Sequence, residues 1–288
     1  MKYDFVRTHQ AQFRVAALCR VLRVSCSGYY EWRDRAPSAR EQADERLLEE
    51  IRRVHHGHYE AYGAVKTWRA LNGQGITCGK HRVARLRNAA HIEAKRKRRF
   101  RIVTEHHHTA PAAPDLIERR FSVDQPDRAW VGDMTFIRTR QGWLYLAMLL
   151  DLYSRRVVGW AMSERPEEAL TLNALEMAIA QRRPAPGLIH HTDQGVIYRA
   201  KRYRQRLASM SMRPSMGAKG SAYDNAVAES FFSNLKNELI HHCRFDTREA
   251  ARTAIFSYIE LFYNRKRLHQ TLGYRTPQEF EQNYDGGA

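Results

Sequence analysis

Cysteine is scarce in this chain and never closely paired. The four present, Cys19, Cys26, Cys78 and Cys243, are scattered and form no Cys-x-x-Cys unit. That argues against a disulfide framework and a zinc ribbon, and fits a reducing compartment. Long apolar runs are missing too. The longest, Trp143 to Leu150, falls far short of the roughly 20 residues a helix needs to cross a bilayer. The opening stretch, MKYDFVRTHQ, lacks the apolar core of a signal peptide. A soluble cytoplasmic chain with no membrane contact is expected. Acids are the third shortage: 31 Asp and Glu stand against 48 Lys and Arg, a net charge of +17. Folding gains nothing from such an excess, which adds self-repulsion. It suits a polyanionic partner, because neutralising phosphates releases counterions.

What is present can fold. Hydrophobic residues make up 43% of the chain, enough to bury cores and to exclude a disordered basic tail. Three regions separate by texture. Residues 1–115 carry helical spacing, residues 120–241 alternate strand-like and helix-like stretches, and residues 242–288 read as a helix followed by a basic, turn-rich tail. In the first region, FRVAALCRVL places Phe13, Ala17, Leu18, Val21 and Leu22 on one helical face. Ser25 can cap a following helix, and the tight turn between the two reads as a helix-turn-helix. ADERLLEEIRRV predicts a longer helix with Leu47, Leu48, Ile51 and Val54 inward. YGAVKTWRALN and GKHRVARLRNAAHI form a second helix-turn-helix candidate, with Val65, Trp68 and Leu71 opposing Val83 and Leu86, and Thr77 as N-cap. For either unit a plain helical bundle is the alternative. The run KRKRRFR, with Arg98 and Arg99 at its centre, reads as an arm on a phosphate backbone. The histidine groups at 55–58 and 106–108 lack cysteine partners at zinc-finger spacing.

In the middle region, RAWVGDMTFIRTR alternates Val131, Asp133, Thr135 and Ile137 with Gly132, Met134 and Phe136, and two further strands follow with a turn near Ser154. A helix over 167–182, a strand in GLIHHTD, and a helix, short strand and helix complete an α/β pattern with a mixed sheet. In the tail, Asp246 with Glu249 and Thr276 with Pro277 and Glu279 signal helix starts.

The acids of this region carry the chemistry. Asp133 lies in mid-strand, Asp193 at a strand end and Glu229 on the helix beginning near Asp224. On that helix Asn225, Glu229, Phe232 and Lys236 share one face, a mixture of amide, acid, aromatic and base where a structural helix would be apolar. Three carboxylates brought together repel and raise one another's pKa. A hard divalent cation such as Mg²⁺ removes that penalty and accepts phosphates as further ligands. Lys236 is placed to hold a phosphate. Lys219, Tyr223 and Asn225, in the glycine-containing loop MGAKGSAYDN, are candidates for DNA contact close by. Asp151 is a rival carboxylate whose position suits a turn.

WVGDMTFI, HHTDQGVIY, GSAYDNAVAESFFSNLKNE and YNRKRLHQTLGYRTP together resemble the DDE transposases of bacterial insertion sequences, relatives of retroviral integrases. More narrowly, they resemble the second open reading frame product of two-frame elements. The resemblance covers essentially the whole chain. It implies a ribonuclease-H-like core behind an N-terminal helix-turn-helix region, with Asp133, Asp193 and Glu229 as catalytic metal ligands and Lys236 following. It also implies Mg²⁺ (or Mn²⁺) dependence, cleavage at element ends and strand transfer into target DNA. A homo-oligomer on double-stranded DNA, bacterial nucleoid association and partnership or fusion with an upstream-frame protein are implied as well. No His-His-Cys-Cys module is present, so zinc is not. Three alternatives stay open. A non-enzymatic DNA-binding regulator would leave the acids unexplained. A tyrosine recombinase would use Arg265, Arg267, His269 and Tyr274, and a plain ribonuclease H would not need the N-terminal region.

Overall fold

The first helical pair is set by its ends more than by its faces. In the computed structural model, which describes residues 2–95, 113–118, 122–217 and 225–284, α1 (Lys2–His9), α2 (Val15–Leu22) and α3 (Cys26–Asp34) surround Val6, Cys19 and Tyr29. Arg23 closes α2 in the left-handed region, φ 51°. The Ser25 hydroxyl then accepts the Gly28 N–H at 3.3 Å and starts α3, as the sequence predicts. The expected face of α2 needs correction. Phe13 precedes the helix, Val21 is 80% exposed and Cys19 takes the centre. The reason is α1, which packs across α2 and selects a different stripe. In α4 (Ala39–Gly57), Ser38 and Glu41 form a reciprocal capping box, and Leu47, Ile51 and Val54 are buried.

The chain packs as two units, Met1–Glu50 and Ile51–Ala288. The second begins with a helix pair, α5 (Ala64–Gly73) and α6 (Lys80–Ala89). Leu71, Val83 and Leu86 are buried between them, whereas Val65 is exposed. The N-cap of α6 is Gly79, not Thr77. Trp68 Nε1 holds the Cys78 carbonyl at 2.8 Å, so the chain stays beside α5 for two further residues before turning into α6.

The sheet contains β1 (Ala129–Thr139), β2 (Gly142–Asp151), β3 (Val157–Ser163), β4 (Ile189–Thr192) and β5 (Arg213–Met216), in spatial order β3-β2-β1-β4-β5. The first three form an antiparallel meander, and β4 joins β1, and β5 joins β4, in parallel. Parallel neighbours need crossovers, supplied by α7 (Glu168–Arg182) and α8 (Lys201–Ser209). The sequence order βββαβαβα is thus observed, ending in α9 (Ala226–Glu238). Alternation sorts β1 by face. Val131 and Ile137 enter one core with Phe231, Leu235, Ile255 and Tyr258, while Trp130 enters another with Leu175 and Tyr203. Gly159 lets α7 lie against β3, since a Cβ there would sit 2.3 Å from the Ala174 carbonyl.

After α9, α10 (Arg248–Phe256) continues through a wider turn over Ser257–Tyr263, keeping Ala251, Ile255, Tyr258 and Phe262 buried. Its N-cap is Thr247, one residue past the expected Asp246; the Thr247 hydroxyl accepts the Ala250 N–H, and the Asp246 carboxylate pairs with Arg140 at 3.0 Å. Thr276, Pro277 and Glu279 form the predicted capping box of α11 (Pro277–Gln282). Among the described residues no helix is long and apolar enough to cross a membrane.

Candidate catalytic site

Strand alternation and parallel register bring the first two acids together. Val131 pairs with His191, so continuing the register by two residues sets Asp193 level with Asp133, on strands about 4.8 Å apart. Asp133 lies on the same face as Val131, towards α9, which carries Glu229 and Lys236. The electrostatics record the convergence. Burial, Asp193 and Glu229 together push the Asp133 carboxyl up to about 8, against opposing contributions from the Met134 N–H and Lys236. Glu229 is exposed, and partial desolvation raises it. Burial lowers the Lys236 ammonium while Asp133 opposes the shift. Its amine lies 5.6 Å from the Phe136 ring centre.

Local structure fixes each acid. Asp193 Oδ1 accepts the Gly195 N–H at 2.9 Å, and a Cβ on Gly195 would sit 2.9 Å from that oxygen, so a side chain there would displace the Asp193 carboxylate. Asn225 begins α9 and donates from Nδ2 to the Gly132 carbonyl at 3.3 Å. Asn225, expected from the sequence as a DNA contact, is 8% exposed, and it ties the helix bearing Glu229 to the strand bearing Asp133. Phe232 is also buried, so the mixed face of α9 is split between core and site. Lys219 and Tyr223, and Arg98 and Arg99 of the basic arm, lie outside the described residues.

One residue at the site, Tyr198, had no reading from sequence. Tyr198, in HHTDQGVIY, is buried with a hydroxyl that has no hydrogen-bond partner among the described residues, and Asp133 and Asp193 add to burial in raising its pKa. The Asn225 Oδ1 is likewise buried and unpartnered. Buried polar atoms left without a partner are rare in folded proteins. Among the described residues, no three His, Cys, Asp or Glu side chains are drawn together tightly enough to cage a metal as they stand.

The rival readings lose their footing. Asp151 is sealed, accepting from Asp127 N–H, Ser154 N–H and Ser154 Oγ at 2.8–2.9 Å, which makes it a turn former. In the tail, three short bonds commit the Arg267 guanidinium to Glu238, so it cannot surround a phosphate at Tyr274.

The five-stranded mixed sheet with helices packed on it is the architecture of an integrase-type, polynucleotidyl transferase core. Comparison with known families agrees. An integrase core domain matches residues 123–222 and again 229–284, and an HTH-like domain matches residues 42–100. The insertion element IS600 uncharacterized 31 kDa protein of Shigella sonnei is 44% identical over 93% of this chain and 98% of its own length. Transposase InsF for insertion sequence IS3A of Escherichia coli (strain K12) is 40% identical, over 98% of each. A chain of the simian T-cell lymphotropic virus intasome, solved in complex with PP2A regulatory subunit B56 gamma, shares the fold: TM-score 0.50, 17% identity, 77% of this chain and 72% of that one. The chain belongs to the insertion-sequence transposases typified by InsF, and its work is DNA transposition.

Proposed function

We propose that Asp133, Asp193 and Glu229 form a DDE centre that holds Mg²⁺, with Mn²⁺ as a substitute, and cuts DNA at the ends of the element before joining them to a target. The observation that carries this reading is the parallel register that sets Asp193 level with Asp133 beside the helix bearing Glu229, and burial together with these two acids raises the Asp133 carboxyl. The donors are all hard oxygens, and the unpartnered Asn225 Oδ1 and Tyr198 hydroxyl beside them fit an added cation better than an empty cleft. When bound, a pair of such ions would activate the attacking oxygen and stabilise the leaving one during in-line displacement at phosphorus.

The chain's own residues do the rest. Asp133 gives up its proton when positive charge arrives. Asn225 keeps α9 against β1, fixing the reach of Glu229, and Lys236 offers its ammonium to a nonbridging phosphate oxygen. No protein nucleophile is required: water breaks the first P–O bond and frees a 3′ hydroxyl. That hydroxyl then forms a new P–O bond in the target as the target's own bridging bond breaks. Residues 1–115 bring the DNA, residues 120–241 cut it, and the tail from 242 completes the scaffold. A homo-oligomer gathers two element ends, alone or with an upstream-frame partner.

The test is nicking and joining of a duplex that carries the inverted repeat flanking the coding region. The wild type gives Mg²⁺-dependent products. Asp193→Asn gives none and still binds DNA. Products from Asp193→Asn, or binding with no metal-dependent product from the wild type, would make the chain a DNA-binding regulator or place its chemistry elsewhere.

A further inference from the structure

A second polar groove opens on the same helix, away from the acids. Its volume is about 610 Å³, within the range of small-ligand sites. It is lined by the first turn of α5, by Lys66 and Lys95, by Asn234 of α9, and by Glu238 and Arg267. Asn234 lies five residues beyond Glu229, about 7.5 Å of helix rise, so the groove is within a few nucleotides of the acid centre.

Charge decides what this groove can take. Its carboxylate is already used: Glu238 accepts from Arg267 at 2.7–3.0 Å and from the Tyr258 hydroxyl at 2.7 Å. What remains on offer is cationic or donating. Among the described residues Lys66 has no ion pair; its amine lies 5.3 Å from the Tyr62 ring centre. Burial and Arg267 push it down to about 8 against a weaker pull from Glu238, so its charge is only partly compensated. Lys95 has only a 3.7 Å pair with Glu60, itself 41% exposed. The turn between them is the start of α5, where Gly63 brings no capping side chain, so the opening N–H groups of the helix are left for an acceptor. Aligned peptide dipoles add positive potential at that end.

We propose that this groove binds a backbone phosphate of the DNA being processed, held by Lys66, Lys95 and the N-terminal amides of α5. The inference rests on DNA being the substrate, as proposed above, and locates a contact outside the acid centre. It joins the HTH-like segment, which supplies Lys66 and Lys95, to the catalytic helix through one phosphate. Lys95 is also the first residue of KRKRRFR, so the groove lies at the start of that basic run.

The test is the salt dependence of DNA binding by the full chain, in EDTA so that no chemistry intervenes. One neutralised phosphate contributes about 0.9 to the slope of log K against log salt. Lys66→Gln and, separately, Lys95→Gln are each expected to flatten the slope by about 1. Raising salt from 50 to 200 mM should then cost each variant roughly 3.5-fold less affinity than the wild type. A neutral methylphosphonate walked along the duplex should erase the difference between wild type and Lys66→Gln at one position. Thermal melts check that each variant is folded, and Lys95→Gln, at the rim, carries the test if Lys66→Gln does not fold. Unchanged slopes in folded variants would overturn the proposal. So would stabilisation of the wild type by free pyrophosphate with no slope change, which would give the groove to a soluble phosphate. Cleavage plays no part in this readout, so a slope change without metal-dependent products would sink the catalytic reading and leave the groove standing.

Discussion

Replacing Asp133 by asparagine should disable the centre and stabilise the metal-free fold. Asp133 titrates near 3.8 when unperturbed and near 8 in the folded chain. A folded pKa above the unfolded one gives stability that is complete below pH 3.8 and lost as pH rises towards 8, because the folded chain binds the extra proton in that window. The slope is about 1.36 kcal/mol per pH unit, or about 4 kcal/mol between pH 5 and pH 8. Asp133 is only partly shielded from solvent, so roughly half, about 2 kcal/mol, is the fair expectation at a higher effective dielectric. An asparagine side chain cannot ionise and escapes the loss. For a unit of this size each kcal/mol moves Tm by about 2–4 °C. The melting temperature of Asp133→Asn relative to wild type should therefore rise by about 4–8 °C from pH 5 to pH 8, measured calorimetrically in EDTA. Mg²⁺ should then narrow the gap by stabilising the wild type alone. A gap that stays constant or shrinks with pH would refute the claim that the acids strain one another.

Three further outcomes follow from the packing. Arg267→Met should destabilise the fold by about 3–5 kcal/mol, because it strands the buried Glu238 carboxylate; adding Glu238→Gln should recover part of that in a denaturant titration. Gly159→Ala should cost at least about 1–3 kcal/mol through its clash with the α7 backbone, seen as a lower urea midpoint. Asn225→Ala should lower strand-transfer rate while leaving DNA affinity within about twofold of wild type, since the residue holds α9 to Gly132 and is buried.

Much of this was legible in the residues, and where it was not the cause is physical. Strand alternation announced β1, and with it the face on which Asp133 lies, because the period of two leaves little freedom. The α7 helix and the Thr276 capping box were readable for the same reason: local rules and tertiary packing agree there. The N-terminal helices were harder. Val21 and Phe13 follow helical spacing but are exposed, since which stripe is buried depends on α1, a short helix with a weak apolar signal. Caps slipped by one or two residues: Thr247 stands in for Asp246, whose carboxylate pairs with Arg140, and Gly79 for Thr77, beyond the Cys78 carbonyl that Trp68 holds. Spacing put Asn225 on one face with Glu229, but it could not show that the Asn225 amide reaches the Gly132 carbonyl of the neighbouring strand. Tyr198 gave no signal at all: a buried tyrosine is ordinary until its hydroxyl is found facing two acids without a partner.

The most direct test of the central claim is anomalous diffraction from crystals of the transposase bound to its end DNA and soaked with Mn²⁺. Metal peaks are expected, ligated by carboxylate oxygens of Asp133, Asp193 and Glu229 at roughly the 2.0–2.1 Å of a small octahedral cation, slightly longer for manganese. Metal peaks bound to other side chains, with Glu229 turned away from both aspartates in a complex that still cleaves DNA, would contradict it.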